Sequence, residues 1–399
     1  ERLSTMSVLN TGSTLGDAEG DRFLDGSWSS FVPRLALQQL VDMLASKSAA
    51  HEEQLGSITE ACVIFADASG FTALTEHLDA LPNGAELMCS IMNGFLGSVI
   101  DIVHRHGGDV IKFAGDAVSC LFKVASADEV SEGRPEVSVT MRAAVLRATC
   151  CALELHQKLH NYPAYTDPAG KTIHLSLHIG IGCGTVTLLH LGGHHGRWEF
   201  VLAGMPQNQA CEAEPRAESG QTCIAPEAWA IIADVADGVP CTAEGNHHDA
   251  SHGQHVPSFM LVTRIHQDAL PTLPAVPPLT SRVSGLSRDL VPLLRRYVPL
   301  NVALKLQDGF SRELDLSEMR QVSVMFVNVQ GLVLAAESGK GSADCSTALT
   351  MGQATMLKVQ AAVHHMEGQL NKMLIDDKGT VLLCVFGLPP RPHADDALR

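Results

Sequence analysis

The sequence predicts an α+β fold that occurs twice in tandem, the two copies being pseudo-symmetric. Residues 62–72 (CVIFADASGFT) and 323–332 (SVMFVNVQGL) are both apolar strands that end in an acidic or amide residue and turn through a Gly. Asp67 in the first stands where Asn328 stands in the second. A second matched pair follows in the same order: GGDVIKFAGDA (107–117) against EGQLNKMLIDDKG (367–379), with Lys112 and Lys372 in register.

The elements follow from local pattern. Residues 1–57 form an N-terminal extension, polar and rich in Gly and Ser at first, then FVPRLALQQLVDML, whose apolar period reads as a short helix. The first copy spans 58–265. Ala61–Ala66 is its opening strand, a helix follows, and a second helix starts at about Asn83, a residue type that caps helix starts. Leu87, Ile91, Phe95, Val99 and Val103 recur at four-residue steps and make one apolar stripe. His106-Gly107-Gly108 ends that helix, and DVIKFA-GD-AVSCLF is a hairpin with a two-residue Gly-Asp turn. A polar loop (126–136) leads to a helix over 139–160, an alternating strand over 172–181, and a further hairpin, TVTLLHL-GGHHG-RWEFVLAG. The order strand–helix–helix–strand–strand–helix–strand is that of a ferredoxin-like palm. A Pro-rich linker fills 266–318, its later part amphipathic (298–309). The second copy, 319–399, supplies a strand, a helical region (343–366) and a hairpin, and is incomplete.

Bulk properties narrow the function. The 399 residues allow two or three domains, and 45% hydrophobic with 18% charged residues is a globular composition. A net charge of −16 argues against a general nucleic-acid binder. No apolar run approaches the roughly 20 residues of a membrane span, and ERLSTMSVLN lacks the pattern of a signal peptide. The expectation is a soluble, cytoplasmic protein, with the chain a piece of a longer one. The 11 Cys include no CxxC pair and read as reduced, buried thiols. His194-His195 and the four His at 247–255 read as solvated loop residues rather than metal ligands.

Asp67 at a strand end and Asp116 at a neighbouring hairpin turn carry the chemistry. In a palm-type sheet these places adjoin. Two carboxylates there bind two divalent cations, and such an ion pair clamps the attacking and leaving oxygens of a phosphoryl or nucleotidyl transfer. Hard oxygen donors suit Mg²⁺ or Mn²⁺. Ala68-Ser69-Gly70-Phe71-Thr72 presents backbone N–H groups at a helix start, where phosphate oxygens can be held.

FADASGFTALTE, followed by GGDVIKFAGDAV, resembles the metal-binding motifs of the class III nucleotide cyclases. The tandem arrangement, with FVN in the second copy and NK…DKG…LCVFG after it, looks like the soluble (type 10) adenylyl cyclase branch, over roughly residues 58–399. The resemblance implies the class III cyclase fold and conversion of ATP to 3′,5′-cyclic AMP and pyrophosphate, at the interface of two paired cyclase domains, in intracellular signalling. It implies metal ligation by Asp67, Asp116 and the Ala68 carbonyl, a triphosphate held by residues 68–72, and Lys372 as the base reader. A Lys donates to adenine N1 and meets a hydrogen on guanine N1. It also implies a twin cleft in which Asn328 replaces the metal carboxylate and bicarbonate is the ligand.

Departures from the pattern bear on these implications. Lys112 matches the cation of the anion cleft, whereas counting from Leu202-Ala203-Gly204 places Cys211 where an Arg is expected, with Arg216 five residues on. With one cation of two, the cleft is expected to hold bicarbonate weakly. His178 stands where a triphosphate-facing Lys is expected, and is taken as mostly neutral at pH 7. The second copy stops before the residues that stabilise the transition state, so these 399 residues alone are expected to be inactive. A catalytically degenerate module that binds nucleotide or a partner is the alternative, and a guanylyl cyclase, disfavoured by Lys372, is a third.

Overall fold

The computed structural model describes residues 28–45, 55–124, 140–241, 258–271, 287–307, 320–335, 341–376, 379–390 and 392–398. The polar loop at 126–136 and the His residues at 247–255 lie outside these. The chain groups into two compact units: Thr59–Val186 with Gly204–Val276, and Glu1–Ile58 with Thr187–Ala203 and Pro277–Arg399. This grouping cuts across the chain order expected from the sequence, because Thr187–Ala203 belongs with the later residues.

A short helix α1 (Arg34–Ala45) precedes β1 (Gly56–Ser69), which is longer at both ends than the apolar core Ala61–Ala66 that marks it in sequence. Helices α2 (Phe71–Asp79) and α3 (Gly84–Arg105) follow. Asn83 occupies the cap position of α3 but makes no side-chain cap hydrogen bond. Phe95, Val99, Ile102 and Val103 are the buried face of α3, while Leu87 and Ile91 of the same stripe pack against the core half-buried. Among the described residues α3 is one helix long and apolar enough to cross a membrane, which corrects the expectation that no run approaches that length.

Strands β2 (Asp109–Ala114) and β3 (Ala117–Lys123) close across Gly115-Asp116. Gly115 has φ 75, as the first central residue of a II′-type turn requires. Helix α4 (Met141–Leu159) starts at Thr140, whose side chain accepts from the Ala143 N–H. A short β4 (Tyr162–Thr166), not expected from sequence, pairs with β5. The strand expected at 172–181 and the first arm of the hairpin after it are one continuous strand, β5 (Thr172–Gly192). It turns into β6 (Trp198–Ala203), then α5 (Met205–Ala213), β7 (Thr222–Ile224), α6 (Pro226–Ile232), β8 (Ala236–Pro240) and β9 (Met260–Ile265). The strand order β2-β3-β1-β5-β7-β9-β8 contains the ferredoxin-like order at its start. The core of this unit lies between the sheet and helices α3 and α4, with Ile64, Phe122, Leu155, Leu175 and Ile179 fully buried.

In the other unit, α7 (Ser287–Arg295) and α8 (Leu300–Gln307) precede β10 (Ser323–Val329), α9 (Gly341–His365), β11 (Gln369–Asp376) and β12 (Gly379–Phe386). The order β10-β12-β11 repeats β1-β3-β2. Both hairpins carry a register shift at the same place, between Val110 and Lys112 and between Leu370 and Lys372. Both close on an aromatic ring: a Cβ on Gly108 would stand 2.6 Å from Phe122, and one on Gly368 would stand 2.3 Å from Phe386. The repeat is therefore one of tertiary structure. Its core joins Leu189, Leu191, Val201 and Ala203 of the β5–β6 hairpin to Met356, Val363, Met373 and Leu382, which is why that hairpin groups with the later residues.

Candidate functional site

β1 lies between β3 and β5, and this order assembles the site. Ala66 is paired with Val118, so Asp67, one residue on, falls beside the Gly115-Asp116 turn. Burial and then the Asp67 charge raise the Asp116 pKa, as expected for two carboxylates facing one another without an intervening cation. On the other flank, β5 brings His178. Its Nε2 is 3.4 Å from Asp67 Oδ2, and its Nδ1 meets Glu214 Oε1.

Glu214 reaches His178 because α5 lies directly on β5. Gly180 and Gly182 recur on one face of the strand at period two. A Cβ on Gly180 would stand 1.9 Å from the Ala210 carbonyl oxygen, and one on Gly182 would stand 2.3 Å from the Pro206 carbonyl oxygen. The bare strip admits the helix backbone, and the Cys183 N–H donates to Gln209 Oε1 at 2.9 Å across the contact. Glu214, at the end of α5, is thereby held buried against the imidazole.

His178 departs from its expected state. Hydrogen bonds to Asp67 and then Glu214 outweigh desolvation and push its pKa up to about 10. It is charged at pH 7 in this arrangement, not mostly neutral as its residue type alone implies. Asp67, His178 and Glu214 each offer a ligand atom within 4.8 Å of the others. With Asp116 beside them, the donors are carboxylate oxygens plus one imidazole. A crowded carboxylate pair, half-buried and balanced by a side-chain cation, fits a divalent metal ion at Asp67 and Asp116.

The turn after Asp67 is as compact as a phosphate-holding loop requires. Ala68 is buried, and Gly70 has φ 93, with the His174 carbonyl oxygen 2.3 Å from where a Cβ would be. Helix α2 starts at Phe71, and the first N–H groups of a helix lack intrahelical partners. Ser69 and Phe71 are half-buried and Thr72 is exposed.

A hydrogen-bonded chain reaches Cys211 from the strand position opposite Lys112, these being two of the residues expected at an anion cleft. Lys112 is the cross-strand partner of Ser119, whose Oγ donates to Gln207 Oε1 at 2.8 Å, while Gln207 Nε2 donates to Cys211 Sγ at 3.4 Å. Cys211 is buried. Arg216 is exposed and its guanidinium stacks 4.1 Å over the Phe259 ring. Ser119, Gln207 and Glu214 escaped sequence reasoning. The GxGxG strip of β5 is the one local signal that an element packs there.

Leu202 on β6 and Lys372 on β11 belong to the other unit. Leu202 is buried and Lys372 is half-buried opposite Leu383. In that unit Asn328 pairs with Val381, and Val381 holds the register that Ala117 holds in the first copy. Counted along β12, Thr380, which is buried, therefore holds the register of Asp116. Asn328 replaces the first carboxylate, while Asp376 stands four residues after Lys372 as Asp116 stands four after Lys112.

Comparison with known proteins shows what the chain is similar to. The family described as the adenylate and guanylate cyclase catalytic domain matches residues 53–253. Adenylate cyclase type 10 of Mus musculus is 25% identical over 350 residues, covering 84% of this chain and 20% of that protein. The Homo sapiens adenylate cyclase type 10 is 24% identical over 366 residues with the same coverages, so this chain spans about a fifth of the length of these curated relatives. Among solved structures, the adenylyl cyclase CyaB from P. aeruginosa aligns at 22% identity over 53% of this chain and 98% of that chain, with a TM-score of 0.40.

Proposed function

The chain belongs to the adenylate and guanylate cyclase catalytic domain family, and on that premise we propose that the full-length protein is an adenylate cyclase. The reaction is attack of the ATP 3′-hydroxyl oxygen on the α-phosphorus, with release of pyrophosphate and of the hydroxyl proton. One observation carries this reading: Asp67 and Asp116 face each other at the end of β1, so closely that one raises the pKa of the other.

Class III cyclases generally use divalent metal ions, and here Asp67, Asp116 and the Ala68 carbonyl would hold two Mg²⁺ or Mn²⁺ ions. When bound, such ions lower the pKa of the attacking hydroxyl and stabilise charge on the transferring phosphoryl group. The chain's own groups do the rest. N–H groups of residues 68–72 hold phosphate oxygens at the start of α2. Lys372 donates to adenine N1, which favours ATP over GTP. His178, paired with Asp67 and Glu214, would contribute positive charge toward the triphosphate. Bicarbonate at Lys112 is the proposed second ligand, and it binds weakly because Cys211 supplies no charge.

A second reading has one specific observation behind it. The ion pairs of His178 with Asp67 and Glu214 satisfy the site without metal, as a nucleotide-binding module that does not turn over would require. Full-length protein assayed for cyclic AMP with ATP and Mn²⁺ separates the two. Product that disappears in Asp67→Asn supports the cyclase, whereas ATP binding without product under either metal supports the module.

A further inference from the structure

The β5–β6 turn and the C-terminal end of α9 bring three imidazoles together, outside the site above and within one compact unit. His194 and His195 are neighbours in the turn, and His364 is in the last turn of α9. One ring nitrogen from each lies within 4.8 Å of the other two. The rings of His195 and His364 stack at 3.8 Å between centroids, and His194 meets His195 edge-on at 4.4 Å.

The turn is built to hold this shape. Gly193 and Gly196 have φ 119 and 75, and His195 itself has φ 49, a conformation that side chains rarely adopt. Two glutamines one helical face apart clamp it to α9. The Gly192 N–H donates to Gln353 Oε1 at 2.8 Å, and Gln353 Nε2 donates back to the Gly192 carbonyl at 2.5 Å. The His194 N–H donates to Gln360 Oε1 at 3.2 Å, and Gln360 Nε2 donates to the Arg197 carbonyl at 3.0 Å. Gln353, Gln360 and His364 are spaced by seven and four residues, so one stripe of α9 both fixes the turn and supplies the third imidazole.

We propose that His194, His195 and His364 form a binding site for a borderline transition-metal dication of the Zn²⁺ class, with water as the fourth ligand. Three neutral imidazole nitrogens suit Zn²⁺, Co²⁺ or Ni²⁺, and are poor ligands for Mg²⁺. Nitrogens at about 2.0–2.1 Å from a tetrahedral ion lie about 3.4 Å apart. The stacked His195 and His364 rings must turn out of parallel for both lone pairs to meet one ion. His195 is exposed and leaves the outer position to solvent. The bound ion ties the hairpin turn to α9. Residues outside the family's metal corner carry this site, so it stands or falls independently of cyclase activity.

The test uses untagged, chelator-treated full chain. Co²⁺ is titrated by visible absorption and Zn²⁺ by calorimetry, in wild type, His195→Gly and His364→Gln, with Asp67→Asn as the control for the carboxylate corner. His195→Gly places glycine at a positive φ, so the turn is retained. The expected result is one nitrogen-rich Co²⁺ site that Zn²⁺ displaces and Mg²⁺ does not. Each His variant should lose more than about 100-fold in affinity, beyond the roughly 10–100-fold that a supporting partner costs a metal site, and Asp67→Asn should lose none. Zn²⁺ should also protect all three His from carbethoxylation in wild type, which needs no variant. Unchanged affinity in either His variant, or no protection of His364, overturns the proposal.

Discussion

His178 Nε2 lies 3.4 Å from Asp67 Oδ2, so a side-chain cation occupies the flank of the carboxylate on which metal binding would depend. Metal and imidazolium compete for the same charge. His178→Ala should tighten Mn²⁺ binding severalfold, on the order of 1 kcal/mol for one partly exposed ion pair. It should also lower thermal stability by about 2 kcal/mol, because buried Glu214 loses its partner. Calorimetric Mn²⁺ titration and thermal melting of the same variant report the two effects, which have opposite signs.

Asp67→Asn and Asp116→Asn should each cut cyclic AMP formation by full-length protein at least about 100-fold, as loss of a principal charge-stabilising contact does. ATP binding should weaken less than turnover. Equal losses in binding and turnover would assign these residues to ground-state binding alone.

Lys372→Met removes the donor that distinguishes adenine from guanine at N1. The ratio of kcat/KM for ATP over GTP should fall roughly tenfold, within the 1–3 kcal/mol range of a neutral or charged hydrogen bond. An unchanged ratio would exclude Lys372 as the base reader.

Gly180→Ala tests the bare strip of β5. Its methyl would stand 1.9 Å from the Ala210 carbonyl oxygen, which cannot move without lifting α5. A loss of about 3 kcal/mol or more is expected in denaturant unfolding, at the upper end of overpacking costs. Gly97→Ala has nothing within 4 Å of the new methyl and is the control.

Stability should fall with acid through a defined window. Burial lowers His156 and His190 from an ordinary value of 6.5 to about 4. His190 is held by Tyr297 Oη at 2.6 Å and Gln39 Oε1 at 2.8 Å, and His156 by Thr222 Oγ1 at 2.8 Å. Unfolded chain binds protons at these His before folded chain does, so the contribution of these two is full above about pH 6.5 and declines towards pH 4. At about 1.4 kcal/mol per unit, each contributes up to about 3 kcal/mol. Urea unfolding across that range, with His190→Gln as comparison, checks the slope.

The repeat was legible in sequence because matched short motifs recur in one order, and the shared bulge at Ile111 and Asn371 gives it structural form. The helices and the Gly-Asp hairpin followed from local period and turn chemistry. The continuity of β5 did not. Its glycines at 180, 182 and 184 read locally as a break, whereas they are a seat for α5 that only tertiary packing reveals. Glu214 was missed for the same reason. His194 and His195 read as loop residues because their third companion, His364, is distant along the chain.

In the second copy Asn328 faces solvent and Thr380, at the register of Asp116, is buried. The two copies thus differ at the strand-end corner of the carboxylate pair, Asp67 against Asn328. An Asn328→Asp chain would set its new charge on an exposed position, one register step from a buried hydroxyl at Thr380. One amide in place of one acid is what sets the two strand ends apart.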